Sequence, residues 1–287
     1  MTPPASSPIE APSGKDAAYE NFPVGSFLLP ANLRPHVAVF YAFARAIDDI
    51  ADSSDLAAEE KIRRLEGCAA ALRGEAADPA FAKAHRMRES LAATGTTIQH
   101  GLDLIAAFKQ DAVKLRYRDW DDLMGYCLLS AAPVGRYLLD LHGGSRDGYG
   151  PSDALCLALQ VINHVQDCQD DYRTLNRVYL PGDWMTAEGA TIEELNAPRC
   201  SPALRRVLDH TLDATEKLMP AARCLPGGLF SRRLALESGV IVAIADALIA
   251  RLRVQDPLAR RVKLGRGAFL WHGLMGAAAG LLAGRPA

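Results

Sequence analysis

Apolar residues recur at three- and four-residue intervals through most of the chain, while runs of alternating β-branched residues are nearly absent. This pattern predicts an all-α fold. The intervals place helices over 32–51, 56–74, 79–92, 96–115, 119–141, 151–174, 202–223, 228–253 and 266–283. Breaks are expected at Gly143-Gly144-Ser145-Arg146-Asp147-Gly148 and Pro181-Gly182-Asp183. No period of 20 to 50 residues recurs, which argues against a solenoid. The first 17 residues, rich in Pro, Ser and Ala, read as a disordered arm. No long Ser/Gly/Pro linker interrupts the remainder of the chain, so residues 18–287 are expected to form one domain.

Two helices depart from simple amphipathicity. In 37–52, Tyr41, Arg45, Asp48 and Asp52 follow one another at offsets of 4, 3 and 4 and share one face, flanked by Val37, Val39, Phe40, Phe43 and Ile47. In 155–171, Gln160, Asn163, Asp167 and Asp171 follow at offsets of 3, 4 and 4 among Leu157, Leu159, Val161, Ile162 and Val165. A polar stripe on a burial-prone helix needs compensation. If the two stripes share a cleft, their carboxylates would repel one another strongly unless a divalent cation sat between them. The stripes offer only carboxylate and amide oxygens, which suits Mg²⁺, or Mn²⁺, and not zinc or iron. Mg²⁺ commonly completes its shell with phosphate oxygens, so the pattern points to a diphosphate substrate, with Arg45 and Tyr41 as donors to it. One Asp pair at i and i+4 is common on solvated helices; two matched stripes on apolar helices carry the argument. The histidines and cysteines read as structural or surface residues, His164 being the exception, about 100° around the helix from Asn163.

Composition narrows the partners. Hydrophobic residues make up 49% and charged residues 23%, and 32 basic against 34 acidic side chains leave a net charge of -2. No global field draws the chain to nucleic acid. The six cysteines stand singly and no signal segment leads the chain, so a reduced, cytoplasmic protein is expected. The run 268–284 is apolar apart from His272, but Gly-rich and shorter than the roughly 20 residues of a bilayer span. It is expected to pack as a last helix. Anchoring at the inner face of the membrane is the other reading.

From Tyr19 to Phe269 the chain resembles the squalene/phytoene synthase family. The resemblance rests on Asn21-Phe22, on Tyr41-x-x-x-Arg45-x-x-Asp48-Asp49-x-x-Asp52, and on Tyr126-Cys127 followed by Gly135. It rests further on Gln160-x-x-Asn163-x-x-x-Asp167-x-x-x-Asp171 leading to Arg177-Val178-Tyr179-Leu180-Pro181, and on Arg261-Val262. It implies a class I isoprenoid synthase bundle in which Asp48, Asp52, Asn163, Asp167 and Asp171 are Mg²⁺ ligands and Tyr41, Arg45 and Arg261 contact diphosphate. Phe22, Tyr126, Ala131 and Gly135 would line the prenyl tails, Gly135 equally suiting close helix packing, and Gln160, Arg177 and Tyr179 belong to the substrate-binding motif.

The departures choose within the family. Gln166 stands where many members have Arg, Asn21 replaces a Ser or Thr, and a Tyr common in the penultimate long helix is missing from 239–250. With Asp170-Asp171-Tyr172-Arg173, these look like the branch that forms hydroxysqualene in bacterial hopanoid pathways. That likeness implies conversion of presqualene diphosphate and water to hydroxysqualene and diphosphate, without NADPH and alongside other enzymes of the pathway. The nearest alternative is condensation of two farnesyl diphosphates to presqualene diphosphate or squalene. A head-to-tail prenyltransferase or terpene cyclase would share Asp48-Asp49-Ile50-Ala51-Asp52 but not the second motif. A non-catalytic helical assembly factor is a reading from another class, and a di-iron bundle is disfavoured by the absence of any E-x-x-H pair.

Overall fold

The computed structural model describes residues 29–144, 146–265, 267–268 and 271–276. They are helical almost throughout and fall into two compact units, 31–113 and the residues from Lys114 onward together with Leu29 and Pro30. The N-terminal arm, Asn21 and Phe22 lie outside the described residues.

The first unit holds α1 (Arg34–Asp52), α2 (Ala58–Arg73), α3 (Ala82–Thr94) and α4 (Gln99–Asp111). Their apolar stripes meet in a core of Phe43, Ile47, Leu65, Leu72, Met87, Leu91 and Leu104, each almost wholly buried. Helices α2 and α3 end on Gly74 (φ 81°) and Gly95 (φ 69°), in the left-handed region that closes a helix at little cost only for glycine.

The second unit is built around α7 (Tyr149–Gln166). Packed against it are α5 (Trp120–Ser130), α6 (Ala132–Leu141), α10 (Pro202–Glu216), α11 (Met219–Ala222) and α12 (Arg232–Val254). Encirclement explains its composition: Leu155, Leu157, Ala158, Leu159, Val161, Ile162 and Val165 are all buried. Helix α8 (Cys168–Leu175) continues from α7, and α9 (Gly182–Glu188) follows a short strand. That strand, β2 (Val178–Pro181), pairs in parallel with β1 (Arg116–Tyr117).

Sequence periodicity and structure differ at three helices. The predicted helix 119–141 is α5 and α6, broken at Ala131 (φ -121°, ψ -47°), with Pro133 taking the first turn of α6, where a missing N–H costs nothing. The predicted helix 151–174 breaks at Asp167 (φ -107°, ψ 9°) into α7 and α8. The predicted helix 202–223 divides after Glu216, with Pro220 in the first turn of α11. Of the predicted helix 266–283, residues 267–268 and 271–276 are described and are helical.

Helices α6 and α7 approach closely at Gly135. A Cβ there would stand 2.3 Å from Ser152 Oγ and 2.7 Å from Cys156 Sγ. Arg136 grips Asp153 beside it, at 2.8 and 2.6 Å. Both atoms would have to shift to admit a methyl group in this contact. Gly135→Ala is therefore expected to destabilise the protein by about 1–3 kcal/mol through overpacking. Urea unfolding checks this, and adding Ser152→Gly to the Gly135→Ala variant should restore part of the loss.

Candidate active site

In the first unit the polar stripe lies on α1, where the sequence predicts it. Tyr41, Arg45, Asp48 and Asp52 are all half-buried, on the border between buried Phe40, Phe43, Ile47, Ile50 and Ala51 and exposed Ala38 and Ala42. Arg45 Nη1 is 3.0 Å from Asp48 Oδ2, and its Nε is 3.4 Å from Asp49 Oδ1. One guanidinium thus balances two carboxylates, and the stripe as a whole remains anionic and rich in hard oxygen donors.

In the second unit Gln160 and Asn163 lie on the last turns of α7, Asp167 at the α7–α8 junction and Asp171 in the first turn of α8, again all half-buried. The junction changes the local backbone but keeps the stripe continuous. Asp167 N–H donates to the Asn163 carbonyl at 2.9 Å, and Asp171 N–H donates to the Asp167 carbonyl at 2.8 Å. Arg177 N–H in turn donates to the Asp171 carbonyl at 3.1 Å, tying the stripe to β2. Arg261 reaches the same stripe from beyond α12: its Nε is 2.8 Å from Asp167 Oδ1, and its Nη2 donates to Oδ2 at 2.9 Å.

The donor chemistry of both stripes fits Mg²⁺ or Mn²⁺. Cys168, the thiol adjoining Asp167, is buried, and burial pushes its pKa far up, so it stays protonated and does not compete as a soft ligand. Among the described residues no three His, Cys, Asp or Glu side chains form a ready-made cage. Few protein ligands per ion, with substrate oxygens completing the shell, is how Mg²⁺ is commonly held.

Behind the second stripe stands an aromatic cluster that the sequence discloses only in part. His164 stacks on Tyr179 with ring centroids 3.7 Å apart. Tyr126 lies 5.5 Å from Tyr179 and 6.1 Å from His164, and Tyr117 packs 5.3 Å from Tyr126 and 5.5 Å from Tyr179. Burial, with the Arg177 guanidinium as a lesser cause, lowers the pKa of His164 to about 3. The imidazole is therefore neutral, and its Nε2 lies 3.3 Å from Gln160 Nε2, linking the cluster to the stripe. Tyr117 carries no sequence signal, since its partner strand lies some 60 residues away.

The other candidates separate. Arg177 and Tyr179 are buried with the cluster. Ala131 is buried at the α5–α6 junction. Gly135 abuts Ser152 and Cys156, so packing between α6 and α7 is the role its neighbours display.

A model of squalene/phytoene synthase matches residues 16–268. The chain is 44% identical to a hydroxysqualene synthase of Rhodopseudomonas palustris over 257 residues, covering 89% of this chain and 87% of that protein. It is 42% identical to a hydroxysqualene synthase of Zymomonas mobilis, covering 87% of this chain and 84% of that protein. Among solved structures, squalene synthase HpnC from Alicyclobacillus acidocaldarius superposes with a TM-score of 0.71 at 34% identity, covering 82% of this chain and 88% of that one. The fold also matches a dehydrosqualene synthase, with a TM-score of 0.75 at 20% identity over 90% of each chain. With a helical bundle, two oxygen-rich stripes and a family match over most of its length, the chain belongs to the squalene/phytoene synthase family of isoprenoid-synthesising enzymes.

Proposed function

We propose that the enzyme converts presqualene diphosphate and water to hydroxysqualene and diphosphate with Mg²⁺ and without NADPH. The observation that carries this reading is the unbroken stripe Gln160, Asn163, Asp167, Asp171 in a chain 44% identical to a hydroxysqualene synthase. Asp48 and Asp52 on one stripe, and Asn163, Asp167 and Asp171 on the other, would hold Mg²⁺, which would supply Lewis acidity to the leaving diphosphate. Tyr41, Arg45 and Arg261 donate hydrogen bonds to the diphosphate oxygens. The apolar helix faces exclude bulk water, so that the prenyl cation rearranges before water captures it. Phe22, Tyr41 and Tyr126 offer aromatic faces to that cation. Water rather than hydride ends the sequence, so no nicotinamide is required.

The 34% identity to a solved squalene synthase favours a second reading, head-to-head condensation of two farnesyl diphosphates. One experiment separates them: the purified protein and Mg²⁺ are incubated with presqualene diphosphate, and separately with farnesyl diphosphate, and products are identified by mass spectrometry. Hydroxysqualene from presqualene diphosphate is the expected result. Presqualene diphosphate or squalene from farnesyl diphosphate, with no turnover of presqualene diphosphate, would replace it with the second reading.

No described helix is long and apolar enough to cross a membrane. Trp271, Leu274 and Met275 are nevertheless exposed at helical spacing, which supports our proposal of a peripheral membrane contact through this segment.

A further inference from the structure

We infer that Arg261 is an exchangeable counter-ion for Asp167, and that Gln166 is the positioning residue that permits the exchange by holding the backbone at Val262. The inference rests on the proposed cation and diphosphate reading of the site, and deepens it.

Two contacts close a small ring between segments far apart in sequence. Gln166, the last residue of α7, is only 3% exposed, and its amide donates to the Val262 carbonyl 96 residues away. The residue before Val262 forks onto the residue after Gln166: Arg261 on Asp167. The first contact fixes main chain and the second engages only a side chain. They also differ in freedom, since Val262 is fully buried while the Arg261 and Asp167 side chains keep 29% and 25% exposure.

The flanks of this segment are braced as well. Asp256 accepts from Cys200 N–H and Leu258 N–H, each at 2.9 Å. Arg205 Nη1 donates to the Leu252 carbonyl at 2.9 Å, and Arg251 Nη1 donates to the Lys263 carbonyl at 3.0 Å. Arg261 therefore swings from a rigid base. A neutral amide suits position 166, because a charge there would be buried beside both members of the ion pair.

The chemistry is a competition for one carboxylate. A guanidinium and a divalent cation cannot both take full possession of the Asp167 oxygens, so an arriving cation displaces Arg261. Anchored through Gln166, the freed guanidinium stays beside the site and meets the diphosphate that the cation attracts. Cation and diphosphate binding become coupled, each favouring the state the other needs.

The test uses Mn²⁺ and inorganic pyrophosphate with the full chain. Free Mn²⁺ is titrated by electron paramagnetic resonance, and the Mn²⁺–pyrophosphate complex is then titrated by calorimetry. Arg261→Ala should bind Mn²⁺ alone about fivefold tighter than the unaltered protein, the factor a half-buried ion pair commands, yet bind the complex at least about tenfold more weakly. Gln166→Met, of similar volume but without the amide, should shift both affinities in the same directions by smaller factors. It should add nothing in the Arg261→Ala background, because it acts through Arg261; a merely structural role would add. Unchanged Mn²⁺ affinity in Arg261→Ala, or additive effects in the double variant, overturns the inference while leaving the metal site intact. Failure of the unaltered protein to bind Mn²⁺ with or without pyrophosphate removes the metal reading itself, and the inference with it.

Discussion

Asp167→Ala is expected to lower turnover of the proposed substrate, presqualene diphosphate, about a hundred- to a thousandfold or more, the scale on which removal of one group stabilising developing charge is felt. Its fold should survive. Asp167 is half-buried at the α7–α8 junction, and the hydrogen bonds that carry the helix across that junction run main chain to main chain, from Asp167 N–H to Asn163 and from Asp171 N–H to Asp167. Alanine keeps them and favours helix. The loss is the ion pair to Arg261, worth about 1 kcal/mol at this exposure. Asp48→Ala should behave alike, since Arg45 retains Asp49 at 3.4 Å. Diphosphate release reports the turnover and far-ultraviolet circular dichroism the helix content. Activity within about tenfold of the unaltered enzyme, in either variant with native helicity, would remove that carboxylate from the proposed metal site.

Both stripes were legible because side-chain periodicity reports which face of a helix a residue occupies. The sequence places Tyr41, Arg45, Asp48 and Asp52 on one edge of α1, and the structure finds all four half-buried there. Periodicity is silent on what stands opposite a face. The ring made by Gln166, Val262, Arg261 and Asp167 joins residues about 95 positions apart through a side chain and a carbonyl, and no local spacing encodes it. The break at Asp167 is hidden for a related reason: the i to i+4 hydrogen bonding runs through it, so the polar spacing of 3, 4 and 4 is preserved while the dihedrals of Asp167 (φ -107°, ψ 9°) leave the helix. Strand β2 carries no strand signature in the sequence, because Val178, Tyr179, Leu180 and Pro181 are all buried, which removes the alternation that marks a half-exposed strand. Tyr117 joins the aromatic cluster only through that strand pairing.

The cluster also predicts how the protein responds to acid. His164 is stacked on Tyr179 and enclosed by Tyr126, and burial lowers its pKa to about 3 against an ordinary value near 6.5. Between those two values the unfolded chain takes up a proton at this residue and the folded chain does not, so stability falls as pH falls through the window. At about 1.4 kcal/mol per pH unit, the loss assignable to His164 between neutral pH and pH 5 is about 2 kcal/mol. His164→Phe keeps a ring against Tyr179 and removes the titration. Its unfolding free energy should therefore fall less steeply, by that amount, over the same interval. Carboxylates titrate at the low end of this range too, but they are common to both proteins and cancel in the difference. Urea unfolding at half-unit steps from pH 7 to pH 5 measures it. Parallel profiles would mean that the folded protein also protonates His164 in this range, which its burial and the nearby Arg177 cation both oppose. At neutral pH the variant is expected to be the less stable of the two: phenylalanine cannot meet Gln160 Nε2, now 3.3 Å from the imidazole, so it gives up that contact in exchange for its insensitivity to acid.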